Sequence, residues 1–251
     1  MPKPDDARTV LDSERFVPDG DSYQRPWHMS RYAFASRWAL GRHVLDAGSG
    51  EGYGSFFLAQ IARTVIGIDY APIAVAHAQR TYQKANLSFH QTDLNRFEGF
   101  DGPFDVITCF EVIEHVDQHD RLLAGFRRRL RPGGVLILST PNMLYHDTSG
   151  NPYHVSEVVP RVLRRQVASH FSRVRLFGQL DRDKVPREAL KLVADPLYLR
   201  RRLARRTLFP SATSGAQRAQ GPAMSPDPPK DLVFSRALVR TSPITVVLAR
   251  V

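Results

Sequence analysis

The run Val44-Leu45-Asp46-Ala47-Gly48-Ser49-Gly50-Glu51-Gly52-Tyr53-Gly54 constrains the fold more than any other part of the chain. An apolar stretch enters a loop with glycine at every second position, and Phe56-Phe57-Leu58-Ala59 then opens a predicted helix. Strand, tight turn and helix start in that order hold nucleotide-like ligands at the carboxyl edge of a parallel sheet. Glycine there lets backbone approach a ligand where a side chain would clash. The loop departs from the dinucleotide fingerprint, because Tyr53 occupies the third glycine position. It carries Asp46 and Glu51 and no basic residue. Two carboxylates beside a helix N-terminus repel the pyrophosphate that such a terminus otherwise attracts. No Lys-Ser/Thr pair follows, which excludes a P-loop. The charge pattern favours a nucleoside cofactor bearing a cation or amine.

Two further acids extend the pattern. Asp69 closes Thr64-Val65-Ile66-Gly67-Ile68-Asp69, where a carboxylate can accept both hydroxyls of a ribose. Asp93 follows Leu87-Ser88-Phe89-His90 and can receive an adenine amino group. Taken singly, either acid is equally well a strand end or a helix cap. From 44 to 140 strands and helices alternate, the signature of a parallel α/β sheet. Strands are expected near 44–48, 64–69, 87–90, 104–110 and 135–140, and helices near 55–62, 71–84 and 118–130. A helix near 156–170, a strand near 171–179 and a last strand over 244–249 follow. Residues 27–38 read as an amphipathic helix ahead of the first strand. The Pro132-Gly133-Gly134 turn is expected to end the helix holding Arg127-Arg128-Arg129 and to start the fifth strand.

These segments together resemble the class I S-adenosylmethionine-dependent methyltransferases. The resemblance rests on VLDAGSGEGYGS (44–55), VIGIDY (65–70), the acid of QTDL (91–94), FDVITCFEVIEHV (104–116) and LRPGGVLILSTPN (130–142), and it covers about residues 28 to 180. It implies an α/β, Rossmann-like sheet of seven strands in the order 3-2-1-4-5-7-6, the last antiparallel, with helices on both faces. It further implies S-adenosyl-L-methionine as cofactor, with contacts from Tyr32, Asp46, Gly48, Ser49, Gly50, Asp69, Tyr70, Asp93, Leu94, Phe110 and Glu111. Gly48 and Gly50 would pack on the methionine part, Asp69 would hold the ribose, and Asp93 with Leu94 the adenine. Phe110 and Glu111 would border the transferable methyl, and Arg31 or Tyr32 on the N-terminal helix could reach the donor's carboxylate. Glu14-Arg15-Phe16-Val17-Pro18, Arg31-Tyr32-Ala33-Phe34-Ala35 and Ser139-Thr140-Pro141-Asn142 resemble a bacterial subgroup associated with polysaccharide or secondary-metabolite pathways.

The expected domain layout is a flexible, polar, proline-bearing 1–20 and a single methyltransferase domain over 21–251. A basic insertion at 181–240, between the last two strands, is helical over 184–206 and loop-like over 209–230. Residues 161–210 hold 14 Lys and Arg against 4 Asp and Glu, an excess equal to the whole net charge of +10. Such a stretch suits an anionic substrate, a membrane surface or nucleic acid, or is a solvated basic face. No run of apolar residues reaches membrane-spanning length, no signal peptide is visible, and one cysteine, Cys109, excludes an intrachain disulfide; the reading is a cytoplasmic enzyme.

Methyl transfer from a sulfonium is an in-line displacement that depends mainly on alignment of nucleophile and methyl. A hydroxyl acceptor also needs a base, and His115 and His154 are the catalytic candidates, with His146 a third. Glu111, Glu114, His115 and His154 also have the donor types for a divalent ion, although no metal is assigned. The sequence reading is O-methylation of a small molecule, sugar or glycan. Its alternatives are an RNA methyltransferase using the basic insertion, an N-methyltransferase, and a non-catalytic cofactor-binding protein.

Overall fold

The computed structural model describes residues 25–96, 101–144, 158–181, 232–236, 238–239 and 242–251. The chain begins with α1 (Arg25–Ala39), then β1 (His43–Ala47), α2 (Tyr53–Leu58), β2 (Thr64–Asp69), α3 (Pro72–Thr81) and β3 (Leu87–Gln91). It continues with β4 (Phe104–Phe110), a 3-10 turn (Ile113–His115), α4 (His119–Arg129), β5 (Leu130–Pro141), α5 (Pro160–Ala168), β6 (Arg173–Asp181), β7 (Leu232–Ser235) and β8 (Ile244–Arg250). All the expected strands form. Alternation gives way to continuous burial in β1 and β4, as it must where helices cover both faces of a parallel sheet.

The strand order is β3-β2-β1-β4-β5-β8-β6-β7. The first seven reproduce the expected order, with β8 antiparallel to both β5 and β6. The eighth is a correction to the seven expected: β7 lies inside the 181–240 insertion, past the expected 184–206 helix and 209–230 loop, and it extends the sheet by pairing antiparallel with β6. Its four residues carry no long alternating pattern that would mark a strand. The flexible 1–20, the 184–206 helix and the 209–230 loop lie outside the described residues.

A second difference concerns Pro132-Gly133-Gly134. β5 already pairs at Leu130 with Phe104, and the next partners are Val135 and Val106. The intervening residues bulge outward rather than separating helix from strand. Gly133 turns there at φ 78°, and Arg131 Nη1 donates to Asp105 Oδ1 at 3.1 Å across the bulge.

The core has two halves. On one face Tyr32 and Phe34 of α1, Phe56 and Phe57 of α2, and Val75 and Ala78 of α3 pack on Val44, Val106 and Ile137. On the other, Leu122, Leu123 and Phe126 of α4 and Leu163 and Val167 of α5 cover Leu45, Ile107, Leu136 and Val247. Leu163 and Val167 are spaced i, i+4, which places both on one side of a short helix. Pro72 and Pro160 start α3 and α5 at positions whose N–H has no helical partner.

Candidate functional site

The carboxyl ends of β1, β2 and β4 meet under α1. β1 delivers Asp46, wholly buried, into a ring of three hydroxyl donors. Ser55 donates to Oδ2 at 2.6 Å, Thr108 to Oδ1 at 2.7 Å and Tyr32 to Oδ2 at 3.2 Å. Burial pushes the Asp46 carboxyl up to about 6, against the pull of these hydrogen bonds and with a small push from Asp69. Asp46 therefore joins α1, α2 and β4 beneath the glycine loop.

The loop itself turns through left-handed backbone at Gly48 (φ 80°), Gly50 (φ 53°) and Gly52 (φ 90°). A Cβ on Gly48 would lie 2.2 Å from Val112 Cγ2, whereas one on Gly50 would meet nothing within 4 Å. Backbone at Gly50 is thus open to a ligand. The glycine that the dinucleotide fingerprint lacks at position 53 stands at Gly54, where a Cβ would fall 1.9 Å from the Tyr32 ring. Tyr32 meets Phe110 and Tyr53 edge to face at centroid distances of 5.0 and 5.9 Å.

Asp69 ends β2 partly exposed, and each of its oxygens accepts one backbone N–H: Gly50 at 2.8 Å and Ala71 at 3.0 Å. A carboxylate oxygen accepts about two hydrogen bonds, so both keep capacity for a ligand. Tyr70 beside it is 70% exposed. Asp93 accepts from Asn95 N at 2.9 Å, and Leu94 is buried next to it. Ser49 is buried, and its hydroxyl has no hydrogen-bond partner among the described residues.

β4 delivers Phe110 and Glu111. Glu111 is the one non-glycine residue with positive φ (54°) among those described, a conformation that stores strain of about 1–3 kcal/mol. The Ser139 hydroxyl donates to Glu111 Oε1 at 2.5 Å. Glu114 is buried and accepts from Thr140 at 3.0 Å. Burial, then the charge of Glu111, raise the Glu114 carboxyl well above the usual range. Ser139 and Thr140 are neighbours on β5 and so point to opposite faces. His115 is exposed at the end of the 3-10 turn. Among the described residues no group of three or more His, Cys, Asp and Glu is placed to hold an ion. His154 and His146, like Asn151-Pro152-Tyr153-His154-Val155, lie outside the described residues.

Sequence reasoning missed a latch. Arg31, only 2% exposed, donates through Nη1 to Gln179 Oε1 at 3.1 Å, while Gln179 Nε2 donates to Trp27 O and Ser30 Oγ. Arg31 Nε has no hydrogen-bond partner among the described residues. Burial and the nearby Arg31 charge push His28 down to about 2, so His28 adds no positive charge beside Arg31. No local signal marked Gln179, because its partners lie about 150 positions earlier in the chain.

A family model described as a methyltransferase domain matches residues 44–134. A probable S-adenosylmethionine-dependent methyltransferase of Mycolicibacterium smegmatis is 36% identical over 168 residues, 63% of this chain and 64% of that protein. A ubiquinone biosynthesis O-methyltransferase of Pseudomonas aeruginosa is 37% identical over 105 residues, 41% of this chain and 45% of that one. The chain thus spans less than two thirds of the length of these curated relatives. The solved structure of an S-adenosylmethionine-dependent methyltransferase from Archaeoglobus fulgidus shares the fold, with a TM-score of 0.59 at 15% identity over 97% of this chain and 99% of that one.

Proposed function

We propose that the chain is a class I S-adenosylmethionine-dependent methyltransferase that methylates an oxygen of a small molecule, sugar or glycan; the methyltransferase-domain match over residues 44–134 and the relative from M. smegmatis support this reading. One observation carries the donor half of this reading. The glycine loop is held open at Gly50 by the carboxylate that ends the neighbouring strand, Asp69, and no basic residue stands in the loop to hold a pyrophosphate.

The residues present fit the donor. Open space beside Gly50 admits its methionine part, the buried Ser49 hydroxyl offers an unused donor, and Asp69 keeps capacity for two ribose hydroxyls. Arg31 supplies a buried positive charge for a carboxylate, and Asp93 with Leu94 and Tyr70 would receive the adenine. The bound donor would supply a methyl group on a sulfonium. Phe110 and Tyr32 form an aromatic wall at the end of β4 that excludes water and limits the approach of the acceptor.

An acceptor hydroxyl must lose a proton as the new bond forms. His115, exposed at the end of the 3-10 turn that follows β4, is the base we assign within the described residues, with His154 as the second. An O-directed reaction is also supported by the relative from P. aeruginosa, whose name records O-methylation in ubiquinone biosynthesis. RNA as acceptor has less support: the exposed arginines of α5 are accompanied by Val162 and by no aromatic stacking platform among the described residues.

Transfer of labelled methyl from S-adenosylmethionine to fractions of small molecules, glycans and RNA tests the reading. Label in an alkali-stable ether of a small molecule or glycan supports it; label only in RNA, or donor binding without transfer to any fraction, overturns it. His115→Ala should lower kcat about 10²–10⁴-fold with donor affinity unchanged, which kinetics beside calorimetry would read.

A further inference from the structure

We propose that the face formed by Met143, Leu144, Arg161, Val162, Arg164 and Arg165 is a docking surface for a bilayer containing anionic lipid. It stands on the described surface and does not depend on the methyl-transfer reading.

The topology brings these residues to one edge. β5 ends at Pro141, so Met143 and Leu144 follow directly at the carboxyl edge, where the glycine loop also lies. β6 begins opposite Arg250, at the amino edge, four residues after α5 has ended. α5 therefore runs from the carboxyl edge downward, and its first turn holds Arg161 and Val162. Leu163 and Val167 face inward, which leaves Arg161, Val162, Arg164 and Arg165 exposed.

The apolar members are held outward by structure. Asn142 is wholly buried; its Nδ2 donates to Val239 O at 3.0 Å and Ser242 O at 2.8 Å, and its Oδ1 accepts from Leu144 N at 3.1 Å. That turn fixes Met143 at 50% exposure and Leu144 at 59%, with Val162 at 43%. Apolar side chains held in water on a pinned turn mark a contact surface.

Charge selects the partner. None of the three arginines makes an ion pair among the described residues. Asp117 and Asp120 are the acids of the adjoining α4 segment, and Asp120 is engaged by His170 Nε2 at 2.6 Å. A basic helix face beside exposed apolar side chains suits anionic headgroups over acyl chains. Nucleic acid would satisfy the arginines but gives no reward to Met143, Leu144 and Val162, and it would call for aromatic stacking partners.

Sedimentation of the full chain with vesicles tests the assignment. We expect binding to phosphatidylcholine vesicles containing roughly a third phosphatidylglycerol, little binding to phosphatidylcholine alone, and loss of binding as salt rises. Replacing Arg161, Arg164 and Arg165 by Gln should weaken binding about a hundredfold, at about 1 kcal/mol per arginine. Met143→Ser with Leu144→Ser should weaken it several-fold with the salt dependence kept. Affinity for S-adenosylmethionine, read by calorimetry, stays unchanged in both variants. Undiminished vesicle binding by both variants, equal binding to the neutral vesicles, or binding of single-stranded RNA with none to either vesicle overturns the proposal.

Discussion

Asp46 carries a negative charge into a place where no cation pairs with it among the described residues, and three hydroxyls hold it there. Its folded pKa of about 6 lies above the ordinary value of 3.8. The native state therefore binds this proton more tightly than the unfolded chain does. The resulting stability is full below about pH 3.8 and is lost as pH rises through 6, a swing on the order of 3 kcal/mol. His28 acts in the opposite sense: with its pKa lowered from 6.5 to about 2, its contribution is present above pH 6.5 and lost on acidification. Asp46→Asn should remove the first dependence, so urea denaturation from pH 4 to 7 gives a steeper rise of stability with pH than in the wild type. At Asp69 the prediction concerns binding. Asp69→Ala removes a charged acceptor and releases the Gly50 N–H, so donor affinity by calorimetry should fall tenfold or more, at about 1.5–3 kcal/mol per charged hydrogen bond. Gly48→Ala adds a Cβ 2.2 Å from Val112 at a φ of 80°, and chemical denaturation should register a loss of about 2–4 kcal/mol.

At the scale of elements, α1 matters most. Its place over the site comes from tertiary contacts: the Arg31–Gln179 latch, the Tyr32–Asp46 hydrogen bond and the Phe34 packing on Phe177 and Phe234. Both tryptophans of the chain, Trp27 and Trp38, lie in this helix, so intrinsic fluorescence reports on it. Gln179→Ala should leave the buried Arg31 guanidinium without its one acceptor among the described residues, and losing a hydrogen bond to a charged group costs about 1.5–3 kcal/mol. The fluorescence transition in urea should then come earlier than the far-ultraviolet transition that follows the sheet. Coincident transitions at wild-type midpoint would refute the latch.

For the whole molecule, β8 is the strand on which the two ends of the fold depend. It lies between β5 and β6, and through β6 it carries Gln179 and hence α1. Truncation before Ile244 should therefore disrupt the site as well as the distal edge, leaving no donor binding in calorimetry and no cooperative unfolding transition. No helix among the described residues is long and apolar enough to cross a membrane, and the lipid contact proposed above is made from outside the bilayer, through the exposed α5 face.

The sequence by itself determined the seven expected strands and the carboxyl edge where the glycine loop lies. Glycine at alternate positions after an apolar run, and an acid at the end of each of the next two strands, are local signals, because one strand and its turn suffice to produce them. Tertiary structure alone decided what surrounds that edge. Asp46 needed Tyr32, Ser55 and Thr108 from three different elements, Arg31 needed Gln179 from 148 residues away, and β7 needed the free edge of β6. His115 was legible as a candidate, but its exposure followed from the path of the 3-10 turn. These contacts depend on which elements the fold makes neighbours. No periodicity within a single segment encodes that.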